Sequence, residues 1–369
     1  MKTAYKKELK AFDLCSGIGG FRAGVMLSEM VNQIKFVAYS DIDEYAISAY
    51  NSMYDINDEI CLGNIQNITR FENEFDVCGQ LESSTIRIKK INDSIPDFDI
   101  LFAGFPCQPH SLMGNRKGNT DSRGNLFYDI KEIINVKRPE YFILENVRAI
   151  KSVNNGEFFD EIINSLKNDL GYNITIWSLN AADYGIPQVR RRLFIIGSLH
   201  KKIPEQIPEL IDLYEAEYPT TWHLLEKEVD DKYYISDKLL KTILTNQHKG
   251  YNRKAEINKL IARPICKTMH KMHRASQDNY FSDDYILGTY NKENSSVILA
   301  ETSTSKIRRI TPKEALRIQS FPENLIERLL KLGISDTRLY MLAGNAVPPK
   351  LVKSVLERIL STEDKKIDP

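Results

Sequence analysis

Four short stretches of this chain carry side chains able to act together on an electron-poor ring. The first is Gly104-Phe105-Pro106-Cys107-Gln108-Pro109-His110-Ser111, where a thiol sits between two prolines. The apolar run Asp99-Ile100-Leu101-Phe102-Ala103 before it predicts a buried strand closed by glycine and proline, so the cysteine is held on stiff backbone. Taken alone, such a cysteine is a small buried residue at a strand end. The second stretch, Glu145-Asn146-Val147, closes the buried strand Tyr141-Phe142-Ile143-Leu144. The third, Gln188-Val189-Arg190-Arg191-Arg192, runs straight into a strand over Leu193 to Gly197. The fourth is Ser16-Gly17-Ile18-Gly19-Gly20, a glycine turn after an apolar strand from Leu9 to Cys15. A thiol beside cations gains thiolate character. A carboxylic acid nearby can donate a proton or hydrogen bond to a ring nitrogen. These are the groups that covalent addition to a ring requires.

The elements between them follow an α/β alternation. Strand, glycine turn and a helix from Phe21 aim backbone N–H groups at a ligand near the carboxyl ends of parallel strands. Arg22 stands where a dinucleotide fingerprint would want its third glycine, which disfavours a nicotinamide dehydrogenase. The second strand, Ile34 to Tyr39, leads through Ser40-Asp41-Ile42-Asp43-Glu44 into a helix over Tyr45 to Tyr54. An acid there suits the hydroxyls of a bound ribose, and the alternative is helix N-capping; of Asp41 and Asp43, one can meet a ligand while the other caps. Cys61 to Ile65 marks a third strand, and residues 70–95 form an inserted surface segment. Helices are expected over Leu126 to Val136 and over Glu157 to Leu170, the latter closed by Gly171. Two strands, Ile174 to Leu179 and Leu193 to Gly197, have no helix between them and are expected to pair antiparallel at one edge of an otherwise parallel sheet. In such a sheet the strand ends face one crevice, so the four stretches converge.

Composition narrows the setting. The 369 residues are 42% hydrophobic and 27% charged, with a formal net charge of zero, so attraction to a polyanion must come from local clusters. The 5 cysteines include no C-x-x-C pair, which disfavours a zinc site and a disulfide framework and favours a reducing compartment. The expected setting is a soluble cytoplasmic protein with no membrane segment and no metal. Beyond Ser198 the alternation stops, and a basic stretch from His248 to Arg274 gives a second region a cationic face unless it is ordinary solvated surface. Thr311-Pro312-Lys313-Glu314 is a capping box that starts a helix, and Lys350 to Leu360 is a terminal amphipathic helix.

In their order along nearly the whole chain, these motifs resemble the cytosine-5 DNA methyltransferases of bacterial restriction-modification type. Asp13 to Arg22 is similar to that family's first S-adenosylmethionine motif, Asp41-Ile42-Asp43 to its ribose and adenine motif, and Gly63-Asn64-Ile65 to the next. Gly104 to Ser111 is similar to the Pro-Cys-Gln catalytic motif, and Asp121 to Phe127 to the end of its loop. Glu145-Asn146-Val147, Gln188 to Arg192, Arg309-Ile310-Thr311-Pro312 and Gly344-Asn345-Ala346-Val347 complete the set. Cys15 stands where relatives usually carry an aromatic, Asn64 where they carry aspartate, and Ala346 where many have serine.

The resemblance implies a Rossmann-like methyltransferase domain over residues 1–215, completed by 338–369, and a target-recognition domain over 216–337. It implies that Cys107 attacks carbon 6 of a flipped cytosine, assisted by Gln108, while Glu145 holds the ring at N3. Arg190 and Arg192 would hold the cysteine loop and the base or its phosphate. Asp13, Cys15, Gly17, Ile18, Gly19, Gly20, Asp41, Ile42, Asn64, Ile65, Pro106, Leu126, Asn345 and Val347 would surround S-adenosylmethionine. Ser111, Arg116, Lys117, Arg123, Gln188, His270, His273, Arg274 and Gln277 would meet double-stranded DNA, with the glycine-spaced loop Ser111 to Gly124 as a lid. A monomer paired with a restriction endonuclease is the expected context. The rivals are a tRNA cytosine-5 methyltransferase and an inert DNA-binding relative; the second is disfavoured because Cys107, Glu145, Arg190 and Arg192 are all present.

Overall fold

The computed structural model describes residues 8–70, 80–106, 126–245, 255–271, 277–302 and 305–360. Its centre is a seven-stranded sheet of order β3-β2-β1-β4-β5-β7-β6. The strands are β1 (Leu9–Leu14), β2 (Ile34–Ser40), β3 (Ile60–Cys61), β4 (Ile100–Gly104), β5 (Tyr141–Val147), β6 (Asn173–Asn180) and β7 (Arg191–Ser198). Around them lie helices α1 (Gly20–Leu27), α2 (Glu44–Met53), α3 (Gln66–Thr69), α4 (Gln80–Ser94), α5 (Leu126–Lys137) and α6 (Glu157–Asn164). The near-continuous apolar runs of β4 and β5 follow from burial of both faces of the sheet. On one face Phe36, Phe102 and Phe194 meet Phe21 and Val25 of α1. On the other, Leu101 and Leu144 meet Ile130, Ile133 and Ile134 of α5 and Ile162 of α6.

The reversed strand is not the edge strand that the sequence leads one to expect. β7 runs antiparallel to both β5 and β6, which places it one position inside the sheet and leaves β6 as the edge, parallel to the rest. The side chains explain the exchange. Leu193 to Ile196 are buried on both faces and need an interior position, whereas β6 alternates buried with exposed or half-buried residues, as an edge strand does. The segment over residues 70–95 is also more than surface. It contains α4, whose Ile91, with Ile95 just beyond the helix end, is fully buried with the α5 side chains.

After β7 the chain forms α7 (Asp237–Thr245), α8 (Asp283–Ile286), α9 (Pro312–Ile318), α10 (Glu323–Leu330), α11 (Asp336–Asn345) and α12 (Pro349–Leu360). Two small antiparallel pairs join β8 (Tyr280–Ser282) to β11 (Ile307–Arg309) and β9 (Thr289–Asn291) to β10 (Ser296–Ile298). The capping box is present: the Thr311 hydroxyl accepts from the Glu314 amide at 3.1 Å, and Glu314 accepts from the Thr311 amide at 2.7 Å. Glu314 also takes a two-pronged ion pair from buried Arg308. One apolar core joins Tyr39, Ala46, Tyr50 and Met53 to Leu316, Leu325, Ile326 and Leu342, and continues to Leu224, Ala262 and Phe281. It crosses the boundaries expected at residues 215 and 338, with α10 packed against α2 and α9 packed against α10 and α11. α12 returns to the sheet, with Leu351, Val352 and Val355 beside α1.

Candidate active site

The carboxyl ends of β1, β2, β4 and β5 lie on one rim, and the reversal of β7 brings its first residues to the same rim, with Arg192 opposite Val147. A strand's amino-terminal end thereby supplies a guanidinium where only strand ends would otherwise contribute. Arg192 Nε pairs with Glu145 Oε1 at 2.7 Å. Glu145 is 7% exposed and lies opposite Gly104 in the β4–β5 register. A Cβ added at Gly104 would stand 3.4 Å from Glu145 Oε2 and 3.5 Å from the Val347 side chain, so the three converge. Burial pushes the Glu145 carboxyl above its usual range, and the charges of Arg192 and Arg190 only partly oppose this.

Asn146, for which the sequence offered no separate role, fixes the start of the cysteine loop. It is buried, and its Nδ2 donates to the Phe105 carbonyl at 2.9 Å. Pro106 follows and is exposed. Cys107, Gln108, Ser111, Arg116, Lys117 and Arg123 lie outside the described residues. Leu126, where description resumes, is half-buried at the start of α5.

The glycine turn is built as a cradle. Gly17 and Gly19 have φ of 54° and 69°, in the left-handed region that favours glycine. Nothing lies within 4 Å of a Cβ built at Gly17, so its surroundings are open. Asp41 Oδ2 accepts from the Gly17 amide at 2.8 Å, and its Oδ1 from the Asp43 amide at 2.9 Å. Asp43 is the cap, accepting from the Tyr45 amide at 3.0 Å. Thus Asp43 caps α2 while Asp41 buttresses the turn. Ile42 beside them is 73% exposed, an apolar side chain held out at the rim. Asn64, just before α3, accepts from the Gln66 amide at 3.1 Å, and Asn345 is exposed at the end of α11.

Several residues expected at the ligand are interior instead. The side chains of Ile18 and Ile65 lie in apolar cores, Val347 packs with α1 and α12, and Asp13 is fully buried in β1. Both Asp13 oxygens lack a hydrogen-bond partner among the described residues, and burial holds its carboxyl well above the usual range despite nearby Arg22. Cys15 is half-buried, and burial together with Asp41 and Asp13 raises its thiol, the reverse of activation. Gly20 has a packing reason: a Cβ there would meet the Val347 carbonyl oxygen. Gly20→Ala should force α1 away from the Val347 loop and destabilise the fold by about 1–3 kcal/mol, read as a lowered midpoint in chemical denaturation.

Gln188 and Arg190 are also interior, which corrects the expectation that they meet DNA or the target base. Gln188 is fully buried; its Nε2 donates to the Ile318 carbonyl and to Gln319 Oε1, both at 3.0 Å, and its Oε1 accepts from the Ile265 amide at 3.1 Å. Gln319 passes the link to the Ala343 carbonyl. Arg190, 1% exposed, donates to the carbonyls of Ile265, Gly344 and Ala346 at 2.7, 3.0 and 2.8 Å. Burial, with Arg192 beside it, lowers its guanidinium to about 9, still charged at neutrality. These residues bind the approach to β7 to the loop after α11. Arg190→Met should leave the buried Ile265 and Gly344 carbonyls without this donor and the Ala346 carbonyl with Gln319 alone, and destabilise the protein by roughly 3–5 kcal/mol, measurable by urea denaturation. Gln319 was legible only as a polar residue closing the apolar α9.

The basic stretch is described only in part. Lys259 and Arg263 both pair with Glu256. His270 Nδ1 lies 2.9 Å from the Lys267 carbonyl, and Gln277 is exposed, while His273 and Arg274 lie outside the described residues. No helix among the described residues is long and apolar enough to cross a membrane.

The profile of one protein family, described as C-5 cytosine-specific DNA methylase, matches residues 9–361. The type II methyltransferase M1.ScrFI of Lactococcus lactis subsp. cremoris is 33% identical over 356 residues, covering 96% of this chain and 79% of that protein. The type II methyltransferase M.HaeII of Haemophilus aegyptius is 31% identical over 359 residues, covering 96% and 94%. In fold, the chain is similar to the S. pombe Dnmt2 methyltransferase, with a TM-score of 0.69 at 20% identity over 97% of this chain and 100% of that one. The Entamoeba histolytica methyltransferase EhMeth gives 0.67 at 19% identity over the same shares.

Proposed function

Because this chain belongs to the C-5 cytosine-specific DNA methylase family, we propose that it methylates carbon 5 of a cytosine within a short specific sequence of double-stranded DNA. The observation that carries the reading at residue level is the buried Glu145–Arg192 pair beside the β4 end, with Asn146 holding the backbone that leads into Pro106-Cys107. Cys107 adds through its thiolate to carbon 6 of a flipped cytosine, and Glu145 donates to N3 so that the electron pair is held in the ring. Carbon 5 takes the methyl group, leaving S-adenosylhomocysteine; its proton then passes to water as the Cys107–carbon 6 bond breaks to return the thiolate, N3 returns its proton to Glu145, and 5-methylcytosine leaves. Gln108 lies next to the nucleophile in this scheme, and Arg192 holds Glu145 in place.

The turn fits S-adenosylmethionine, which supplies the methyl group. Gly17 is open to a close approach, Asp41 stands where ribose hydroxyls would lie, and exposed Ile42 offers a face to adenine. Gly19, Gly20, Asn64, Pro106, Leu126 and Asn345 complete the surround, while Asp13, Ile18, Ile65 and Val347 support it from within. Ser111, Arg116, Lys117 and Arg123 serve the duplex backbone near the target, and the segment containing His270, His273, Arg274 and Gln277 reads bases. Residues 216–337 supply recognition, and a cognate endonuclease is the natural companion.

Labelled S-adenosylmethionine offered with unmethylated genomic DNA and with bulk tRNA tests the substrate. Label is expected in DNA. Label in tRNA alone would sink this reading, and label in neither would favour an inert relative. Bisulfite sequencing of DNA from expressing cells then identifies the target sequence.

A further inference from the structure

Behind the glycine turn stands a support that none of the steps above uses. Tyr54, the residue that ends α2, is buried, and its hydroxyl lies 3.0 Å from the Ile18 carbonyl and 2.8 Å from that of Gly19, donating to this pair. Its ring fills the space into which any Cβ at Gly19 would project. Arg22, in the first turn of α1, lays its guanidinium 4.9 Å from the centre of that ring and is itself ion-paired to Glu59. The Tyr54 amide donates to the Tyr50 carbonyl at 3.1 Å, so the phenol is carried on a fixed helix end.

A trans peptide points its C=O and N–H in opposite directions. The Gly19 carbonyl faces Tyr54, so the Gly20 amide of the same peptide faces away from it. The amides of Ser16, Gly17 and Gly19 are already engaged, by Ser40, Asp41 and Ser16 respectively. Among the described residues the amides of Ile18 and Gly20 have no such partner, the second as befits the first turn of a helix. Tyr54, together with the Ala23 amide that donates to the Gly19 carbonyl at 2.8 Å, therefore sets the plane of the peptide that carries the Gly20 donor.

We propose that Tyr54 is a positioning residue for cofactor binding: its hydroxyl holds the Ile18 and Gly19 carbonyls back so that the turn presents the Gly20 amide to S-adenosylmethionine. This rests on the methyltransferase reading above. Tyr172 provides a matched comparison, since it is equally buried and its hydroxyl donates to the Pro139 carbonyl at 2.7 Å, far along the sheet.

The test is calorimetric titration of S-adenosylhomocysteine into the full-length wild type, Tyr54→Phe and Tyr172→Phe, with thermal denaturation and duplex-DNA binding in parallel. Tyr54→Phe should weaken the thioether by about 3- to 10-fold, the effect of one lost hydrogen bond. Tyr172→Phe should lower the melting temperature to a similar extent and leave that affinity, like the DNA affinity of both variants, unchanged. Equal affinities in the two variants would overturn the role of Tyr54 alone. A wild type that binds neither S-adenosylmethionine nor S-adenosylhomocysteine would overturn the function and this role with it.

Discussion

Cys107→Ala is expected to drive methyl transfer below detection, a loss on the order of 10⁴-fold or more, as when the nucleophile of a covalent mechanism is removed. S-adenosylmethionine should still bind with near wild-type affinity, because the turn, Asp41 and Ile42 follow β1 and β2 rather than lying on the cysteine loop. Whatever path the chain takes after Pro106, three chain steps of about 3.8 Å keep Cys107 within roughly 11 Å of Gly104, which faces Glu145 across the β4–β5 pair. A duplex whose target carbon 5 carries fluorine in place of hydrogen makes the result decisive, since the thiol adduct cannot then lose its proton and collapse. Wild type should be trapped on that DNA and Cys107→Ala should not. Cys61→Ser, at an exposed thiol on β3, should be trapped as wild type is. Residual turnover in Cys107→Ala would remove the cysteine from the mechanism.

The parts of this site that could be read from residues alone share a physical cause. Strand-closing motifs such as Glu145-Asn146-Val147 and Ser16 to Gly20 announce themselves because a buried apolar run followed by a polar or glycine residue has few places to go in an open sheet. The arginine run before β7 could be read as chemistry but not divided. Gln188 and Arg190 point inward and carry backbone carbonyls, while Arg192, two residues on, reaches the buried acid. Residue type cannot separate those fates, because a buried guanidinium on carbonyls and one on a carboxylate look alike in sequence. The position of β7 escaped for a related reason. Local pattern gives a hairpin, but only comparison of the two strands' faces shows which of them can bear an interior place. α4 escaped because its apolar residues do not mark one face: Ile91 is buried with the α5 side chains while Ile86 and Ile88 are exposed.

Glu145→Gln should reduce the rate of methylation by roughly 10²- to 10⁴-fold while binding of the cofactor is retained, the range expected for loss of a positioned proton donor. Glutamine keeps the size of the side chain and can still meet N3 through its amide, but it cannot supply the carboxylic proton, and it leaves the Arg192 guanidinium without its anion. The same substitution carries a stability signature of fixed sign. Burial raises the Glu145 carboxyl above the ordinary value of 4.5 in the folded protein, so the folded state holds this proton more tightly than the unfolded chain does. The stabilisation from that proton is complete below the unfolded value and is lost as pH climbs through the raised folded value. Wild type should therefore lose ground to Glu145→Gln across that interval, and above it the difference between their melting temperatures should level off. A difference that stayed constant from pH 4.5 to neutrality would mean that the Arg192 and Arg190 charges offset the burial of Glu145 completely. The carboxyl would then be an anion throughout, and its part in the reaction would be to accept a hydrogen bond from an N–H of the base rather than to donate to N3.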